Sequence, residues 1–258
     1  MPNLIDVLLE PASLVVFVLF SGLMLWESLR PARVLPRIKG WRAMGLAGFV
    51  LFFLLSSYLP YAWADYVGHL RILDLSGLGT TGGALCAVLV YEAGAYAYHR
   101  AMHRLGVLWR LLHQMHHSAE RIDTFGAFWF SPFDLAGWIV LSSVVFSGLL
   151  GLTPEAALLA LSFVTFLGIF QHANVRTPQW LGYLVQRPES HSWHHARNIH
   201  DNNFADLPLF DILFGTFFNP RRFAPATGFY GGASYRVGAM LLARDVAAAA
   251  GARIKNAR

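Results

Sequence analysis

At 258 residues the chain is 55% hydrophobic and 14% charged, with a net charge of +5. An ordinary soluble domain carries roughly 25% charged residues, so this balance points away from a soluble protein. The single Cys86 excludes a disulfide framework, a CxxC redox pair and an iron–sulfur ligand set.

The apolar residues collect into blocks at 14–29, 44–61, 78–98, 135–152 and 156–170, near the ~20 residues a helix needs to cross a ~30 Å hydrocarbon core. Several blocks are short, so the sequence predicts an all-α integral membrane protein of four to five transmembrane helices, with 1–258 as one domain. Asp6 and Glu10, with no Lys or Arg, precede the first block. That is the wrong charge for a signal peptide, and the block is expected to stay in the mature protein. Arg30, Arg33, Arg37, Lys39 and Arg42 lie between the first two blocks, and Arg100, Arg104, Arg110 and Arg121 follow the third. Alternating crossings put both groups on one side, together with everything after the fifth block, and leave Arg71 on the other. By the positive-inside rule the basic side is cytoplasmic. The basic balance therefore needs no nucleic-acid partner, and a soluble basic protein explains neither the asymmetry nor the block lengths. GLGTTG at 77–82 fits GxGxxG on paper, but it precedes an apolar span and lacks a strand-to-helix setting.

Nine of the eleven histidines fall at the predicted cytoplasmic ends or in the cytoplasmic loops, in a helical cap expected over 99–134 and 172–220. His99 and His103 are four apart and share a helical face. His113, His116 and His117 repeat at i, i+3, i+4, as do His191, His194 and His195, which again sets three imidazoles along one face. His172 closes the fifth block at the same level. Neutral imidazole ligates iron, copper, nickel and zinc, and nine suffice for two ions where a structural zinc needs four. Spacing alone does not choose the metal. His69, in the loop on the opposite side, is not counted.

YEAGAYAYHRAMH, LWRLLHQMHHSAE, FQHANV, HSWHHARN and NNFADLPLFDILFGTF, in that order, resemble the histidine boxes of the fatty acid hydroxylase/sterol desaturase superfamily over roughly Glu92–Phe218. The resemblance implies a non-haem di-iron centre, dioxygen as co-substrate and electrons supplied from outside. It carries the ligand role onto His99, His103, His113, His116, His117, His172, His191, His194 and His195. Where some relatives have a second histidine after the one at His172, this chain has Arg176. The set is then nine histidines, or His200 joins it as ligand or as support.

Glu92, two turns before His99 in an apolar helix, is expensive to bury and is read as fixing the tautomer of a ligating imidazole; a snorkelling or paired charge is the alternative. Asp211 is read either in the same role or as a turn residue beside Gly215. Glu120 and Asp123 are weaker candidates, for pairing near Arg110. Trp109, Trp129, Trp138 and Trp180 are expected in an interfacial belt. The tail from Ser234 is either an interfacial helix or a cap on the histidine domain.

These readings converge on an O2-dependent di-iron oxidoreductase that hydroxylates or desaturates a sterol, fatty acyl or related lipid at the cytoplasmic face, in a bacterial inner membrane. No cytochrome, flavin or iron–sulfur motif is present, so a separate ferredoxin, or a cytochrome with its reductase, is expected as electron donor. A di-zinc membrane hydrolase is the alternative, although its ligands would mix carboxylates with histidine. A metal transporter would need ionisable residues in several spans, and beyond Glu92 they are nearly absent.

Overall fold

Proline in the first turn opens several of the long helices, where its missing N–H costs nothing. In the computed structural model, which describes residues 2–248, a short α1 (Leu4–Leu9) leads into α2 (Pro11–Leu29) and then α3 (Trp41–Tyr58). Next come α4 (Gly79–Arg104), α5 (Pro132–Ser142), which continues as a π-helix over Ser143–Leu149, and α6 (Pro154–Phe170). Ser131 caps α5 by accepting from the N–H of Asp134, and Thr153 caps α6 by accepting from that of Ala156. Among the described residues there is no strand, only an isolated bridge between Ala196 and Thr227.

Four helical segments, Pro11–Leu29, Trp41–Ala62, Ser76–Arg104 and Pro132–Leu149, are long and apolar enough to cross a membrane. The fifth predicted crossing, α6, has 17 residues. It packs along α4 through small side chains, Ala84 and Ala87 against Ala160 and Val164, while Tyr91 of α4 stacks on Phe146 in the π-helical end of α5. Small residues let helix backbones approach where no water drives them together. Val18, Leu25, Leu85 and Leu159 remain exposed on the outer faces, an apolar surface suited to lipid.

The ends of the bundle differ. At one end the 69–75 loop pairs with the end of α5, Ile72 and Leu73 donating to the Leu149 carbonyl. At the other, the basic 30–40 loop meets the histidine-bearing segments: Ala32 donates to Asn174 O, and Arg33 to Ala224 O. Gly45 and Gly48 on α3 let the 124–130 turn lie directly on the helix, since a Cβ at Gly48 would stand 2.6 Å from the Phe128 carbonyl oxygen. A second core caps this end, with Trp41, Trp109, Met115 and Trp129 packed against Phe229, Met240 and Val246. That settles the tail as a cap up to residue 248. Its remaining residues lie outside those described.

Trp109 and Trp129 are buried in this core, which corrects the expectation of an interfacial belt. An aromatic near a helix end serves equally to face headgroups or to pack under a cap, and hydropathy does not distinguish the two. Trp180 is exposed.

Candidate metal centre

Both predicted boxes divide their histidines between two clusters. One cluster gathers His99, His103, His113, His117 and His194, and the other His116, His172, His191 and His195; in each, nitrogens converge within 4.8 Å. Helical geometry gives the reason. At about 100° per residue, positions i and i+4 point nearly together, while i+3 and i+4 diverge by about 100°. His113 and His117 therefore face one cluster and His116 the other. His191 and His195 form the pair in the second box, and His194 crosses to the first cluster. The sequence reading of three imidazoles along one face was too coarse.

The elements bring these rings together at different angles. His99 and His103 end α4; a π-turn (Trp109–His113) followed by a helical turn (Gln114–His117) carries the second set; His172 follows α6. The third set sits on and just after α7 (Pro188–His194). All nine are buried.

Tautomers decide what the rings can do. His99 Nδ1 donates to the Phe204 carbonyl (2.8 Å), His172 Nδ1 to Gly168 O (2.7 Å) and His194 Nδ1 to Asn202 O (2.6 Å), while His113 Nδ1 shares a hydrogen bond with the Asp134 carboxyl (2.8 Å). A neutral imidazole has one N–H, so the Nε2 atoms of His99, His172 and His194, whose Nδ1 partners are carbonyls, are bare lone pairs. Yet His99 Nε2 stands 2.9 Å from His113 Nε2, and His172 Nε2 lies 3.1 Å from those of both His116 and His191. His116, whose Nδ1 donates to the Trp129 carbonyl, and His172 face each other with no proton to share, an arrangement that a cation between them satisfies. Two nitrogens about 2.1 Å from one ion and at right angles lie about 3.0 Å apart. His103 and His117 have neither ring nitrogen bonded, and buried polar atoms are rarely left so. The residues therefore fit metal.

Burial also keeps the rings neutral. It pushes His172 down to about 4, and it drives His116, His117, His191, His194 and His195 well below the ordinary imidazole value, neighbouring histidines adding to the effect.

His200 belongs to neither cluster; its half-buried ring lies 4.9 Å from that of His117 and 5.4 Å from that of Trp109. Glu92 bonds no imidazole: its Oε2 accepts the backbone N–H groups of Asp206 (2.9 Å) and Leu207 (3.0 Å). Asp211 accepts from the N–H groups of Phe204 and Ala205 and from the Thr216 hydroxyl, and so steadies the carbonyl that holds His99. Asp123 pairs with Arg121 and accepts from Trp41 Nε1, while Glu120 accepts from the Ser234 N–H. Neither reaches Arg110.

Three supports escaped the sequence reading. Asp134 is the carboxylate that orients a cluster imidazole. Its signal was an acid in the first turn of an apolar helix, the same costly placement that drew attention to Glu92. Glu27 accepts from Thr124 and from the Asn174 N–H, joining α2 to the segment after His172. Arg187 and Glu189, each 1% exposed, pair at 3.0 Å and both bond Thr177, fixing the start of α7.

A cavity of ≈ 540 Å³ connects the clusters to the opposite end of the bundle. Pro2, Val7, Pro60 and Tyr61 line its far end; His99, His113, His116, His172 and His191 line the near end. Mainly apolar side chains of α2, α3, α5 and α6, interspersed with serines, form the walls between.

The sequence profile described as "Fatty acid hydroxylase" matches residues 84–216. The alkylglycerol monooxygenase of Homo sapiens is 29% identical over 168 residues, covering 63% of this chain and 35% of that protein. That of Danio rerio is 30% identical over the same length and shares. The chain thus spans about a third of the length of the curated relatives it matches. No solved structure matches it. The profile match takes in all nine clustered histidines and just over half of the chain, and the protein belongs to the fatty acid hydroxylase family.

Proposed function

We propose that the protein is an integral membrane monooxygenase that hydroxylates the alkyl portion of a lipid, with two irons held by the two histidine clusters. The observation that carries this reading is the pair of bare Nε2 atoms on His116 and His172, already oriented by the Trp129 and Gly168 carbonyls. Under it, His99, His103, His113, His117 and His194 hold one iron, and His116, His172, His191 and His195 hold the other. With its irons bound, the centre supplies the activation of dioxygen, one oxygen atom entering a C–H bond and the other leaving as water with two electrons and two protons.

The remaining chemistry belongs to the chain. The Nδ1 donations fix ring orientation and leave Nε2 free for metal. The apolar walls of the cavity admit an alkyl chain from the membrane and exclude water from the reacting carbon. Both clusters consist of histidine alone, with no bridging carboxylate among the ligands, which favours oxidation over the di-zinc hydrolase reading. Family membership and the alkylglycerol monooxygenase relatives support hydroxylation over desaturation. Electrons come from a separate ferredoxin or cytochrome partner. The basic 30–42 loop lies at the histidine end, which supports a cytoplasmic centre under the positive-inside rule.

The test is incubation of iron-loaded protein in lipid with 18O2, a reductase and alkyl lipids. Incorporation of one labelled oxygen, lost in His194→Ala, is the expected result. Hydrolysis products free of O2-derived label would overturn the reading.

A further inference from the structure

Asp206 is a buried carboxyl with a function still to fill. It lines the cavity beside Gln171, His172 and His191, and it has no cationic partner among the described residues. Its backbone is fixed at both ends, its N–H donating to Glu92 Oε2 and its carbonyl accepting from the Gln186 N–H at 2.7 Å. One side-chain oxygen, Oδ1, accepts from Gln171 Nε2 at 2.7 Å. No donor among the described residues reaches Oδ2 or the Oε1 of Gln171. Gln171 is itself 8% exposed, so its position is fixed by packing.

Several hydroxyls along the cavity are already engaged. Ser56, Ser142, Ser143 and Ser162 donate their hydroxyl protons to carbonyls of their own helices. Glu10, at the far end, is exposed. Asp206 and Gln171 each bring an acceptor that no donor among the described residues reaches to the histidine end of the cavity, and an unpaired acid in such surroundings is costly unless something donates to it.

We propose that Asp206, held by Gln171, is the specificity-determining residue that accepts a hydrogen bond from a hydroxyl of the lipid close to the carbon that reacts. The substrate class is then an alkyl lipid with a free hydroxyl near the carbon that reacts. This rests on the lipid monooxygenase reading above.

The experiment compares 1-O-hexadecylglycerol with its di-O-methylated analogue, whose hydroxyls are capped, on wild type, Asp206→Asn, Asp206→Ala and Asp206→Glu. Equilibrium binding is measured on metal-free protein in detergent, and oxidation on the iron-loaded protein. Wild type is expected to favour the free glycerol ether. Asp206→Ala and Asp206→Asn should weaken its binding and raise its KM by about tenfold or more, leave the capped lipid unchanged and keep kcat within a few-fold, with partial recovery in Asp206→Glu. The capped lipid reports folding in each variant. Wild type that binds both lipids equally, or variants that weaken both alike, would overturn the proposal even if oxidation proceeds. Preferential binding that depends on Asp206 without any O2-dependent product would uphold it and sink the monooxygenase reading instead.

Discussion

Asp134 shows how much of the centre depends on side chains that never reach a metal. Its carboxyl orients His113, and the Phe204 and Asn202 carbonyls do the same for His99 and His194. Removing such a support typically weakens metal affinity 10- to 100-fold. Asp134→Asn should therefore lower iron affinity by about that factor, measured by competition with a chelator; unchanged affinity would remove Asp134 from the site. The histidine ligand candidates were legible because their spacing and their position at helix ends are sequence properties. Asp134 and Glu92 were not separated by sequence, since both are acids in apolar helices. Only the chain path shows that one faces an imidazole and the other faces backbone N–H groups.

Helices α4 to α7 turn those residues into a centre. Block lengths gave the crossings closely, because hydropathy dictates them. The division of each HxxHH box between two clusters was less visible, although the 100° step contains it. The buried Arg187–Glu189 pair was invisible, as nothing in the local sequence reports that Thr177 and Asn219 lie beside it. Breaking one partner of a buried pair costs about 3–5 kcal/mol. Glu189→Gln is accordingly expected to lower the melting temperature of the detergent-solubilised protein sharply and to release α7 with its histidines. Melting unchanged from wild type would show that the pair does not hold α7.

At the scale of the whole molecule, the burial of so many neutral imidazoles sets a pH dependence. A group such as His172, held at about 4 when folded against about 6.5 when unfolded, binds its proton first in the unfolded chain. Stability of the metal-free protein is therefore full above about pH 6.5 and falls as pH drops from there toward 4. Denaturation midpoints of metal-free protein across that range check it, and a flat profile would contradict it. Orientation is equally open to measurement. In a Cys86→Ser background, an impermeant maleimide applied to whole cells should label Asp65→Cys and spare Val34→Cys, a fully exposed position in the basic loop. The reverse pattern would put the centre on the outer side.

The central claim is that the two histidine clusters each hold an iron. Protein purified in detergent from iron-replete cells, with metal quantified by mass spectrometry, tests it most directly when His103→Ala and His191→Ala, one from each cluster, are measured alongside. Two irons per chain, reduced toward one in each variant, is the result the account predicts. Absence of stoichiometric metal, or two zinc ions under iron-replete conditions, would contradict it.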